Sequence, residues 1–228
     1  MHDLFATKGT EYVITIVYLL LMVAALTLVP RRGQRAPARA AQPVGAAVGR
    51  ALWFALADGY HYHQGHSWAA PADGDLVTVG LDDFAAQAVG APDAVVLPGV
   101  GDTLVQGGPG WRVRASDRSL AMLAPVGGEV VAVNPAVLAS PQLAGEDPYG
   151  AGWLLKVRAP NRQAALKNLF SGDLAGAWMR NTIERLRAVP AGGLGVVMPD
   201  GGTPVRGFAR ALDQSEWDLL AREFFLTG

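Results

Sequence analysis

Three of the chain's four histidines fall in one short run, "GYHYHQGHSW", at His61, His63 and His66. Imidazoles so close in sequence are the first place to look for a metal. The spacing is poor for that purpose, because on a regular strand residues i and i+2 share a face while i+5 points the other way. No cysteine or neighbouring carboxylate completes a ligand set. The three histidines are therefore weak candidates, and no metal is expected. The acid pairs Asp82–Asp83 and Glu146–Asp147 diverge on any regular element and read better as cap and turn residues. The glycine-rich "PGVGDTLVQGGPGW" lacks the GK[ST] ending and the following helix that a phosphate loop requires. No serine elbow, no nucleophile with a plausible base and no dinucleotide fingerprint is present. The absence of cysteine excludes disulfides, iron–sulfur ligation and thiolate chemistry. These residues predict no enzyme, no cofactor and no small-molecule substrate.

The elements that would position such residues are short. Gly 28 and Pro 15 in 228 residues favour many turns. From Ala51 onward, "DLVTVGL", "AVVLP", "GEVVAVN" and "GWLLKVRAP" have the β-branched enrichment and turn flanks of strands. "DDFAAQAVG" predicts one short helix capped by Asp82 or Asp83 and closed by Gly90. From Gln163 to about Ala188 the leucines, Trp178 and Ile183 recur at helical spacing, broken by "SGD". "LDQSEWDLLAREFFL" predicts a last amphipathic helix, with Asp213 as N-cap and Glu216 completing a capping box. Its apolar stripe, including Trp217, Phe224 and Phe225, packs on the barrel or contacts a partner.

The N-terminus has a different texture. Tyr12 to Val29 carries no charge and is long enough, at the short end, to cross a bilayer as a helix. Only Lys8 is basic before it, and Pro-Arg-Arg follows it, unlike a cleaved signal peptide. Arg31, Arg32, Arg35, Arg39 and Arg50 follow with no acidic residue before Asp58. That asymmetry predicts a single-pass anchor in the bacterial cytoplasmic membrane, with the N-terminus outside and the body in the cytoplasm. The arginines can also rest against anionic headgroups. Four parts follow: a tail and transmembrane helix at 1–30, a basic Pro/Ala/Gly linker at 31–50, a β domain at 51–160 and a helical extension at 161–228. A formal net charge of −1 gives no reason to expect nucleic acid as a partner.

The segments "HQGHSWA", "DGDLVTVGLDDFAAQAVG", "VVLPGVGDTL", "LAPVGGEVVAVNPAVLASPQL" and "EDPYGAGWLLKV" occur in an order and spacing that resemble the H protein of the glycine cleavage system, a lipoyl carrier. The resemblance implies a mainly β barrel-sandwich hybrid: two packed antiparallel sheets with a hairpin at one end. It also implies a lipoyl lysine in that hairpin, about eight residues before the "APVGG" turn. Asp117 stands there, or Ser116 or Arg118 if the register slips by one. The chain's lysines are Lys8, Lys156 and Lys167, none of which falls in the hairpin. Neither aspartate nor arginine can form the amide that lipoylation needs.

A carrier fold without its acceptor, joined to an anchor, predicts a non-catalytic accessory subunit of a larger integral membrane complex. A respiratory or photosynthetic electron-transfer assembly is the expected host, with membrane lipids as the other contact. The alternatives are a membrane-recruited participant in lipoate or one-carbon metabolism and, less strongly, a membrane protein binding metal through the histidine cluster.

Overall fold

The computed structural model describes residues 16–18, 53–188 and 204–227. The chain divides into two compact units, Met1–Gln42 and Pro43–Gly228. In the first, Ile16–Tyr18 are helical and exposed. Tyr12, Val29, Arg31, Arg32 and Arg35 lie outside the described residues. Among the described residues, no helix is long and apolar enough to cross a membrane.

In the second unit, a six-stranded antiparallel sheet has the order β1-β2-β3-β9-β8-β5. Its strands are β1 (His61–His63), β2 (Ser67–Pro71), β3 (Leu76–Leu81), β5 (Thr103–Leu104), β8 (Gly128–Val133) and β9 (Leu155–Arg158). A three-stranded sheet, β4-β6-β7, is built from β4 (Ala94–Val96), β6 (Pro109–Ala115) and β7 (Arg118–Leu123). Alternation decides which way β6 faces: Trp111, Val113 and Ala115 are buried while Arg112 and Arg114 are exposed. Two glycines are required by close approach. A Cβ on Gly80 would stand 2.7 Å from the Trp68 ring, and one on Gly128 (φ +149) only 2.1 Å from the Arg158 carbonyl oxygen.

The helices are α1 (Asp83–Val89), α2 (Pro135–Ala139), α3 (Leu143–Glu146), α4 (Arg162–Lys167), α5 (Gly172–Ala188) and α6 (Gln214–Phe224), with a 3-10 turn at Phe208–Ala211. Asp82 is the cap of α1, accepting from Ala85 N at 2.9 Å, and Gly90 (φ +77) ends the helix. The capping box of α6 is present in both directions: Glu216 N donates to Asp213 at 2.8 Å, and Asp213 N donates to Glu216 at 2.9 Å.

Strands and C-terminal helices share one core. Val79, Leu81, Phe84, Val113, Leu120, Leu155 and Val157 belong to it, and so do Met179, Leu186, Phe208, Trp217, Phe224 and Phe225. Of the two roles the sequence leaves open for Trp217, Phe224 and Phe225, packing on the barrel is the one seen: they are 6%, 2% and 0% exposed within this chain, which leaves little of them for the partner contact that was the other. Side chains of that size are driven out of water by their own barrel, which offers them Phe84 at 5.3 and 5.8 Å for Phe224 and Phe225.

Candidate functional site: the β6–β7 hairpin and its surroundings

Ala115 pairs with Arg118, so the turn between β6 and β7 consists of Ser116 and Asp117. Both are exposed. Ser116 has φ +56, whereas Asp117 is not among the positive-φ residues. That matches a type II′ hairpin turn, whose first central position usually holds glycine. The serine is held there by Asp93, whose carboxylate accepts the Ser116 N–H. Asp93 is itself aligned by its backbone N–H, which donates to the Arg114 carbonyl at 2.8 Å. On the other side, Arg118 donates to the carbonyls of Leu212 at 2.6 Å and Asp213 at 3.0 Å. Its guanidinium lies 5.2 Å from the centre of the Trp217 ring. The turn is therefore bracketed by a carboxylate on one flank and by the start of α6 on the other.

The structure thus places Ser116 and Asp117 at the tip and gives Arg118 a separate, structural task. Lys156 lies in β9, within reach of the Trp153 ring at 5.3 Å, and Lys167 lies in α4. Lys8 lies outside the described residues. With a hydroxyl, a carboxylate and backbone amides only, the turn has no amine to acylate.

The histidines do not converge on one point. His61 and His63 lie on β1, and His66 follows in a turn with φ +60. His66 Nδ1 is 2.7 Å from Asp82, and its ring stacks on Phe84 at 4.0 Å with Trp178 at 4.8 Å. His66 is 1% exposed and Asp82 is 0% exposed, so the pair is sealed in the core. The sequence offered no sign of this partnership, because Asp82 comes sixteen residues later and reads only as a helix cap. It is both: one carboxylate oxygen caps α1 and the other meets the imidazole. His63 Nδ1 accepts from Gly65 N at 3.0 Å. Burial, aided by repulsion from His66, holds its pKa below the usual histidine value. Burial also lowers that of His61, against a hydrogen bond to the Leu166 carbonyl. Among the described residues, no group of three or more His, Cys, Asp or Glu side chains is placed to hold a metal ion.

The "EDPYGAGW" segment is architectural. Asp147 accepts from Ala151 N at 2.6 Å, and the Pro148 carbonyl accepts from the Trp68 indole at 3.1 Å. Tyr149 donates its hydroxyl to the Ala55 carbonyl at 2.7 Å and accepts from Asp83 N at 3.1 Å. Burial raises the Tyr149 pKa well above the ordinary phenol value and raises that of Asp83 above the usual carboxylate value. The Asp83 carboxylate also accepts from Ala55 N at 2.7 Å. These bonds tie the segment leading into β1 to the start of α1. A surface groove of about 530 Å³ is bordered by Val105, Gln106, Asn161 and Asn168. The Gln106 amide there is already committed to the Pro125 and Ala165 carbonyls, each at 2.8 Å.

Two antiparallel sheets with a bracketed hairpin define a mainly β protein of the H-protein fold. A family model described as "Glycine cleavage H-protein" matches residues 60–181, more than half of the chain, and the chain belongs to that family. It is 41% identical over 112 residues to the glycine cleavage system H protein of Carboxydothermus hydrogenoformans, covering 49% of this chain and 85% of that one. It is 41% identical over 124 residues to the H protein of a Synechococcus strain, covering 54% of this chain and 95% of that one. A crystal structure of the Mycobacterium marinum H protein is 33% identical, covers 54% of this chain and 98% of that one, and superposes with a TM-score of 0.47. These findings overturn the expectation of an accessory subunit in a respiratory or photosynthetic electron-transfer assembly. The relatives are named for the glycine cleavage system, and the expectation of an electron-transfer host rested on the anchor and not on any residue of the folded domain.

Proposed function

We propose that this chain is a non-catalytic component of glycine cleavage or related lipoate-dependent one-carbon metabolism that keeps the H-protein fold and carries no lipoyl group of its own. The observation that carries the reading is the hairpin turn itself, Ser116–Asp117, within a domain matched over 60–181. An amide to lipoate needs an amine, and the turn supplies none. A protein with the carrier's fold and an inert tip acts by occupying the enzymes that receive the carrier, or by holding them in place. The uncharged run Tyr12–Val29 and the arginines after it support attachment to the cytoplasmic membrane with the body inside. Under that arrangement the protein recruits its partners to the membrane surface.

The test is a reconstituted glycine cleavage system. The purified chain is expected to keep its unmodified mass after incubation with a lipoate ligase, lipoate and ATP. It is also expected to support no turnover alone and to slow turnover by a lipoylated H protein in a dose-dependent way. A mass gain equal to one lipoyl group, or turnover with this chain as sole carrier, overturns the reading. For the membrane arrangement, protease added to intact spheroplasts is expected to spare residues 60–228; cleavage there reverses the orientation.

A further inference from the structure

Three arginines fasten residues 204–227 to the barrel, and each spends its guanidinium on backbone carbonyls. Arg206 donates to Gly145 at 2.6 Å. Arg210 donates to Val89 at 2.8 Å and also to Ala91. The third comes from the opposite partner: Arg118, in the hairpin, reaches out to Leu212 and Asp213. Beyond the other end of α6, Thr227 Oγ1 donates to the Ala121 carbonyl on β7 at 3.1 Å. The helix is thus fastened to the hairpin at both ends.

The family match ends at residue 181. In the Synechococcus relative, 124 aligned residues already account for 95% of the protein, which leaves no room for a segment of this length. The helix over the hairpin is therefore an addition to the domain that the relatives share. Phe224 and Phe225 root the C-terminal end, at 2% and 0% exposure. At the N-terminal end the Arg118 fork, the capping box and the buried Phe208, Leu212 and Trp217 hold the segment against the domain.

We propose that residues 204–227 form a built-in cover of the β6–β7 hairpin. The chain's own helix takes the flank from which a partner would grip Arg118 and β7. A protein engaging that flank must first displace this segment from Arg118 and β7. This holds whatever the hairpin's partner proves to be.

Trypsin tests it on the full chain, because cleavage after Arg118 requires the guanidinium to leave the Leu212 and Asp213 carbonyls. Cleavage after Arg118 and after Arg158, on β9, is followed by mass spectrometry in the wild type, Asp213→Ala and Trp217→Ala, with hydrogen exchange over 214–224 in the same samples. Losing the N-cap is expected to speed cleavage after Arg118 roughly fivefold. Losing the Trp217 ring is expected to speed it more, and in either variant cleavage after Arg158 should rise less than cleavage after Arg118. Equal cleavage after Arg118 in all three proteins overturns the cover, even where α6 exchanges faster. A rise matched after Arg158 overturns it too, since the whole domain would then be opening and not the flank alone.

Discussion

The corner at Asp147–Trp153 and the turn at Ser116–Asp117 lie in the same domain and spend their polar groups in opposite ways. At the corner, hydroxyl, indole and carbonyl groups are buried and paired: Tyr149 with Ala55 and Asp83, Pro148 with the Trp68 indole, Tyr60 with the Tyr149 carbonyl at 2.8 Å. At the turn, the side chains of Ser116 and Asp117 face water, and what is fixed is the backbone, by Asp93 on one side. At the corner, changing Tyr149 or the Trp68 it packs with leaves a buried or partly buried group unpaired, which is expensive. The turn can change its side chains freely as long as the two-residue loop still closes. A fold of this kind can therefore stay intact while the side chains at its tip change.

The contrast can be broken by mutation, and the largest effect should come from the corner. Trp68→Ala removes a 1%-exposed ring and frees the Pro148 carbonyl; it is expected to destabilise the domain by roughly 3–5 kcal/mol, read from denaturant unfolding. A loss below about 1 kcal/mol would mean that the corner is not the keystone described here. Tyr149→Phe keeps the ring and deletes only the hydroxyl, leaving the Ala55 carbonyl and Asp83 N–H unsatisfied. The expected loss is about 1–3 kcal/mol, and a neutral result would sink the pairing argument.

Acid should separate the regions next. His63 has a folded pKa below its ordinary 6.5, so the unfolded chain takes up protons before the folded one. The stability this neutral histidine preserves is present above that value and is lost as pH falls from it toward the lower folded pKa. The melting temperature is expected to drop across that window, and His63→Gln should flatten the drop without altering the turn. An unchanged slope in the variant would assign the acid sensitivity elsewhere. The smallest effects belong to the tip. Asp117→Ala and Ser116→Ala are each expected to stay within about 0.5 kcal/mol of the parent, and a larger loss would show that the turn's side chains carry structure after all.

Much was legible in the residues alone. The strands around "DLVTVGL" and "GEVVAVN" announced themselves by β-branched runs between turn residues, and the helix caps at Asp213 and at one of Asp82 and Asp83 by spacing. These are local signals, set within a few residues, so sequence suffices for them. The absence of cysteine and the positions of the three lysines are likewise properties of the sequence. Tertiary structure decided the rest. An aromatic stripe on α6 looks the same whether it meets a partner or its own barrel, and only the fold placed Phe225 against Phe84 and His66. The His66–Asp82 pair joins two elements through a turn that no periodicity encodes. Arg118 read as one possible register of a vacant acceptor site. Nothing within the hairpin could reveal that its guanidinium is committed to carbonyls ninety-four and ninety-five residues away, because contacts at that separation exist only once the chain has closed on itself.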